Sequence, residues 1–395
     1  MKMLRVLPAL VVVLLSASGI VAQENLARAG TLGVSYPAWS PDGFAAADVY
    51  LEQAKTAGFR SIAFVPTYTY SGFNIVDLSK GPKWTDYEKA LETALSRGFA
   101  VVLKPHLDPK KYQPGFDQAA SSDHSWRVGC PWRGYFDIDP MNEDYREKVI
   151  GTHLQMIAAV LHRLDAKGVK SAGDIRLDLG AELMNSMVYQ PQQWVALAAW
   201  ARKESRRLGI EDRVMLSHNF SHHFEIPDDF VLRMDSEKRE ELARYIKSLD
   251  ALAVSQYMDL TAALTDEERV RRLPTAQEVA KALLMHEQNL RRDILEGLLG
   301  LKADEVPQLH LGEFGVGRGG LRHPNLWEGA VTAEEQQALQ HEIALGHEGL
   351  GLYMRQDNGR RAQSAILWVT GRFYDIFGWM NPFDAIPEAA RAYSK

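Results

Sequence analysis

The sequence predicts an α/β fold, a single (β/α)8 or TIM barrel, on three observations. Eight short apolar runs rich in β-forming residues recur along the 395-residue chain. Longer amphipathic stretches alternate with them, which is the signature of βα units. The eighth run is followed by only a short tail, as a ring of eight requires. An open doubly wound sheet uses the same alternation and is the competing arrangement.

Ahead of the first run, Lys2 and Arg5 precede the apolar stretch Val6 to Leu15 and the small-residue stretch Ser16 to Ala22. That is the pattern of a secretory signal peptide, cleaved near Ala22. Residues 1–22 are assigned to it and residues 28–395 to the barrel. The apolar segment is too short to span a bilayer and contains Pro8, so no membrane anchor is expected. The strands are expected at Leu32–Ser35, Ser61–Val65, Ala100–Lys104, Ile175–Leu179, Val214–Ser217, Ala251–Gln256, Gln308–Leu311 and Ala365–Val369. The first two helices, Phe44–Ala57 and Thr85–Arg97, each end at a glycine, Gly58 and Gly98, where a helix C-cap favours one. Glu143–Ala166, Pro191–Leu208, Thr275–Leu299 and Thr332–Leu345 continue the series. Thr275–Leu299, rich in Leu and Arg, reads as an outer helix with a solvated charged face.

Composition narrows the function. Cys130 is the single cysteine, so the core holds without disulfides, and no lipid acceptor lies near the cleavage region. The net charge of −6 without basic clustering argues against nucleic acid, whose backbone demands concentrated Lys and Arg. A soluble monomer, periplasmic or released, is expected.

In barrels of this kind the chemistry sits at the C-terminal ends of the strands and in the loops that follow. Polar residues just past each apolar run are therefore the candidates. They are Tyr36, then Lys104, His106 and Asp108, then Glu182, His218 and Asn219, Gln256 and Tyr257, Glu313 and Trp368. Two of them, Glu182 and Glu313, are glutamates on strands four and seven, which can aim at one point above the ring. A retaining glycosidase needs two carboxyl groups about 5–5.5 Å apart, one as nucleophile and one as acid/base. Either glutamate alone could instead cap a helix or pair with an arginine; the pair, with aromatics nearby, favours the catalytic reading. Sugars present flat apolar faces and edges of hydroxyls, so a glycan cleft joins aromatic platforms to hydrogen-bonding groups. Trp368 is the best platform, Lys104 and His106 are expected on substrate hydroxyls, and Tyr36 and Trp39 are further contacts. Asn219, Gln256 and Tyr257 complete the expected substrate surface with Trp132 and Arg133. These two lie with Trp126 and Arg127 in the long connection after strand three, of a length usually functional in compact domains.

Three segments carry a resemblance. They are Lys104-Pro105-His106, Trp132-Arg133-Gly134, and Gly180-Ala181-Glu182-Leu183 with Ser186. In this order they resemble the clan A glycoside hydrolases, and within the clan most of all family 113, the β-mannanase-like group. The resemblance implies that Glu182 is the acid/base, that Glu313 is the nucleophile, and that Tyr257 hydrogen-bonds Glu313 and keeps it ionised. It implies a secreted retaining hydrolase of a β-linked glycan, mannan-type first, needing no cofactor. Another β-glycan, an exopolysaccharide, or a barrel that only binds glycan are the alternatives. One departure stands out: the family usually has Thr where Ala181 stands, and most of the clan has Asn, whereas alanine offers no side-chain hydrogen bond.

Other motifs point elsewhere and lose. Gly315-Val316-Gly317-Arg318-Gly319-Gly320 is a literal G-x-G-x-x-G, but a dinucleotide fingerprint requires its last glycine to open a helix. Here Pro324 follows, with no helical period before about Thr332. In the 341–348 stretch His341 and His347 are six apart and fall on different faces, whereas a zinc-protease helix aligns i and i+4. His218, His222 and His223 cluster after strand five, more simply as solvated or substrate-facing histidines than as metal ligands. No G-x-S-x-G elbow is present.

Overall fold

The computed structural model describes residues 31–38, 40–70, 76–109, 133–135, 137–169, 175–221, 234–258, 260, 264–316, 333–355 and 362–368. The expected signal peptide lies outside them, as do Trp39, Trp126, Arg127, Trp132, His222 and His223. Eight strands form the ring: β1 (Thr31–Ala38), β2 (Ser61–Tyr70), β3 (Ala100–Leu103), β4 (Ile175–Ala181), β5 (Val214–Phe220), β6 (Ala251–Met258), β7 (Gln308–Val316) and β8 (Ser364–Leu367). Each pairs in parallel with its successor. β8 then returns to β1, with Thr31 opposite Ser364 and Val34 opposite Leu367. That last pairing closes the (β/α)8 barrel and excludes the open sheet, which would leave two edges.

The helices on the outside are α1 (Ala47–Thr56), α2 (Trp84–Ser96), α3 (Thr152–Ala166), α4 (Pro191–Arg207), α5 (Ser236–Ser248), α6 (Ala276–Asn289) and α7 (Ala333–Arg355). Wide π-helical turns lead into α3 at Asp144–Gly151 and out of α6 at Leu290–Leu298. Helix α5 is absent from the sequence-derived series. Its first turns are a run of charges, and its buried residues, Leu242, Ala243, Tyr245 and Ile246, fall only in the second half. The Asp235 carboxylate starts it by accepting the Lys238 N–H at 2.9 Å. Among the described residues no helix is long and apolar enough to cross a membrane.

Side chains on the outer face of the ring, such as Leu177, Leu216, Leu252 and Leu309, pack with the helices in the main core. The inner face is divided. One side is a small apolar cluster of Ala63, Val65, Val102 and Ile366, with Trp368 over it. Across the ring the inward positions are polar: Arg176, Asp178, Ser217, Asn219, Ser255, His310 and Ser364, all buried. They satisfy one another in part. Ser217 Oγ donates to Asp178, Asn219 Nδ2 donates to Ser255 Oγ at 2.9 Å, and His310 Nδ1 lies 2.7 Å from Ser364 Oγ.

At the rim, His106–Pro109 runs in parallel beside the end of β2, with Thr67 opposite His106 and Thr69 opposite Asp108. This added pairing carries His106 and Asp108 above the mouth of the barrel.

Candidate active site

Glu313 reaches the centre of the ring because β7 contains one extra residue. Leu311 is opposite Val254 on β6, yet the next β6 residue, Ser255, is opposite Glu313. On the other side Ala365 meets Leu311 and Leu367 meets Phe314. The residue gained is Gly312, a β-bulge that re-aims the following side chain. It must be glycine, since a Cβ there would lie 1.8 Å from Asn219 Oδ1. Strand β4 repeats the device. Asp178 is opposite Ser217 and Ala181 opposite Asn219, three steps against two, ahead of Glu182. A Cβ on Gly180 in that bulge would lie 2.5 Å from His218 and 2.7 Å from Trp194. Each glutamate is thus presented by a glycine bulge at the C-terminal end of its strand.

The Glu313 carboxylate is 2% exposed. Lys104 Nζ lies 3.2 Å from Oε1 and donates to the Gly312 carbonyl at 2.6 Å. His106 Nε2 lies 3.3 Å from the same oxygen, and the Tyr257 hydroxyl donates to Oε2. Burial alone would raise the carboxyl's pKa. The Lys104 charge, with His106 and Tyr257, outweighs it and holds Glu313 far below the usual carboxylate range. Burial, helped by the charge of Arg133, pushes His106 down to about 4, so at neutral pH it is an uncharged imidazole.

Glu182 is 4% exposed and held differently. Its φ is +58°, a left-handed conformation that side chains rarely adopt. Its N–H donates to the Asn219 carbonyl at 2.7 Å, and its carbonyl accepts the Met184 N–H at 3.0 Å. Arg133 Nη1 donates to Oε2 at 2.8 Å, while Arg133 Nη2 donates to Asp108 Oδ1 at 2.7 Å. Burial would lower the Arg133 pKa; the charges of Asp108, Glu182 and Glu313 overcome that and keep it cationic. The turn carrying Arg133 (Arg133–Tyr135) leads into a segment bolted to the short helix Met184–Tyr189 that follows Glu182. Ser186 Oγ donates to the Ile138 carbonyl at 2.5 Å, and Gln190 Nε2 donates to Asp137 at 2.8 Å.

Of the expected contacts, the structure gathers Lys104, His106, Arg133, Tyr257 and Trp368 around the two glutamates. Lys104 and Arg133 are engaged by carboxylates. The Trp368 ring, partly exposed, stacks on His106 at 5.7 Å and 15°. Asn219 sits below, fully buried, its Nδ2 donating to Ser255 Oγ while its Oδ1 has no hydrogen-bond partner among the described residues. Tyr36 and Gln256 are not brought in. Side chains alternate along a strand, and Tyr36 falls on the outer face with Leu32 and Val34. Its hydroxyl donates to the Gly43 carbonyl, and its ring stacks on Tyr50 at 4.3 Å. Gln256 lies on the same side of β6 as Leu252 and Val254, away from Ser255 and Tyr257. His218 likewise faces outward, against Trp194 and the Tyr245 hydroxyl. His341 is exposed and His347 buried, on different faces of α7. Gly315 and Val316 are the last residues of β7; the rest of the glycine motif lies outside the described residues. The residue to which sequence reasoning gave no role is Asp108, whose one signal was its place two positions past His106.

No family model matches the chain, and no curated protein matches it in sequence. Among solved structures the fold is similar to that of a GH113 β-1,4-mannanase in a complex, at 15% identity and a TM-score of 0.54, covering 92% of this chain and 98% of that one. It is also similar to the GH113 β-mannanase AaManA from Alicyclobacillus acidocaldarius in complex with ManMIm, at 16% identity and a TM-score of 0.52, covering 92% and 97%. At this identity the likeness is one of fold.

Proposed function

We propose that the protein is a secreted retaining glycoside hydrolase of a β-linked glycan, with Glu313 as nucleophile and Glu182 as acid/base. The observation that carries this reading is the pair of buried glutamates, each delivered by a glycine bulge to the same mouth and each held by different partners. Glu313, kept ionised by Lys104 and Tyr257, suits attack on an anomeric carbon. Glu182, at the end of β4 three strands around the ring from β7, suits proton transfer to the departing glycosidic oxygen. Water then attacks the glycosyl–enzyme ester, giving its proton to Glu182 and releasing the Glu313 carboxylate. Trp368, stacked on His106 beside the nucleophile, offers an apolar face to a sugar ring. The fold shared with GH113 β-1,4-mannanases makes mannan the first glycan to try.

The test is reducing-end release from mannan, glucan, xylan and galactan, with the anomeric configuration of the first product read by proton NMR. Product with retained configuration is expected, and Glu313→Ala should lower turnover by on the order of 10⁴-fold or more. Glu182→Ala should keep more activity on substrates whose leaving group needs no proton. Inverted product, or near-normal turnover in the Glu313→Ala variant, would overturn the assignment; no product from any of the four would favour a barrel that only binds, or an unusual native glycan.

A further inference from the structure

One feature of the site conflicts with the chemistry just assigned. An acid/base must carry a proton when substrate arrives, yet a cation against Glu182 favours its carboxylate form. That cation does not lose its charge, because arginine stays protonated throughout the range in which proteins fold. A second anion held by Arg133 reconciles the two requirements, because it shares the cation's charge. Arg133 has one. A single guanidinium spans two carboxylates through separate nitrogens, Nη1 at 2.8 Å from Glu182 and Nη2 at 2.7 Å from Asp108. Its Nε donates to the Leu107 carbonyl at 3.3 Å, which fixes the plane of the fork. The Glu182 side chain is 6% exposed and that of Asp108 is 37% exposed, so the two anions differ in their access to water. Among the described residues, the other charged or titratable groups within electrostatic reach of Arg133 are Glu313 on β7 and His106 on the rim segment, with Lys104 beyond them on Glu313.

We propose that Arg133 and Asp108 form a charge clamp that sets the protonation of Glu182 through the reaction cycle. This rests on the acid/base role of Glu182. While Glu182 carries its proton, Asp108 holds Arg133. When that proton passes to the glycosidic oxygen, Glu182 becomes a carboxylate and Arg133 pairs with it. When the attacking water returns a proton to Glu182, the pairing relaxes to Asp108 again. Arg133 and Asp108 are then positioning residues acting through Glu182, and this role takes the place of the expected part of Arg133 in the substrate surface.

The two partners act in opposite directions, which makes the clamp testable. Arg133→Gln removes the cation, so Glu182 should take up its proton at higher pH, by roughly one unit or more. Asp108→Asn removes the competing anion, so Glu182 should take up its proton at lower pH. Arg133→Lys, which keeps the charge, should return the behaviour toward wild type. The readout is carbon NMR of glutamate-δ-labelled protein, with the Glu182 signal assigned by Glu182→Gln. The alkaline limb of kcat/KM on a cleaved glycan should move with it. Shifts of the same sign in the two variants, or no shift in either, would overturn the clamp. Should wild-type protein cleave no glycan, the functional reading fails, and the carboxyl titration still decides the clamp. Asp108→Asn alters the most exposed member, so it tests the idea even where Arg133→Gln does not fold.

Discussion

Glu182 holds its carboxyl in place with a strained backbone. Among the described residues it is the non-glycine residue with positive φ. A side chain in that region crowds the following carbonyl at a cost of about 1–2 kcal/mol. The conformation persists because the Asn219 carbonyl takes the Glu182 N–H and the Arg133 fork takes the carboxylate. Such strain clusters where function needs a side chain aimed. Glycine has no Cβ to crowd, so Glu182→Gly is expected to be more stable than Glu182→Ala by roughly 0.5–1 kcal/mol, after the added freedom of its unfolded chain. Urea denaturation of the two variants measures it; equal stabilities would mean that the backbone relaxes once the carboxylate is gone. At this scale the site was largely legible in the sequence. Glu182, Glu313, Lys104, His106 and Tyr257 are polar residues at the ends of apolar runs, where a barrel places its chemistry. What local pattern cannot announce is pairing. Asp108 meets Arg133 across 25 positions of chain, and Lys104 turns to a strand 208 positions away. Lys104 and Arg133 therefore read as sugar contacts and Asp108 as a candidate without a role, although geometry pairs the two cations with carboxylates, Lys104 with Glu313 and Arg133 with Glu182 and Asp108.

Strands β4 and β7 each carry an extra glycine-bearing step. On β4 it sets Ala181 opposite Asn219, and the left-handed turn at Glu182 follows. On β7 it turns the next side chain, Glu313, inward. That step is why Glu313 lies within β7 rather than beyond it, as the apolar run ending at Leu311 had implied. It also explains Tyr36 and Gln256, which sit on regular strands where an alternation of two sends them outward. The bulge itself makes a prediction. Gly312→Ala would put a methyl group into Asn219 Oδ1 and within 2.9 Å of the Ala253 Cβ. Overpacking of this kind costs about 1–3 kcal/mol, so the barrel should still fold. The Asn219 amide must then move off Ser255, and the carboxylate next in sequence moves with the strand. Loss of kcat/KM well beyond the loss of stability is expected, read by glycan cleavage beside a thermal melt. Full activity in a variant of lowered melting temperature would show that the glycine serves packing alone. Helix α5 is the converse case. Its buried residues are crowded into its second half behind charged ones, so the periodicity that revealed the other helices was too weak to reveal it.

The whole molecule adds a property that no single site or strand carries, because its ring and its helices bury histidines in their neutral form. Burial pushes His106, His153 and His347 down to about 4 and His218 to about 3, and holds His310 well below its ordinary value. A histidine of depressed folded pKa contributes stability that is present above the unfolded value near 6.5 and lost as pH falls through it toward the folded value. Each such imidazole accounts for on the order of 3 kcal/mol if the full shift is realised. Glu313 acts in the same direction, since its pKa is also depressed on folding. A domain has about 5–15 kcal/mol in all, so charging two or three of these groups is enough to unfold it. Stability from denaturant titrations should therefore be level above about pH 7, fall steadily below 6.5, and vanish before the histidines reach pH 4. A level curve from pH 7 to 5 would contradict the burial of these rings. The consequence returns to the site. Glu313 stays ionised far below the pH at which the barrel fails, so activity lost on the acidic side should follow the unfolded fraction rather than protonation of the nucleophile. Comparing the pH dependence of kcat with that of the melt separates the two.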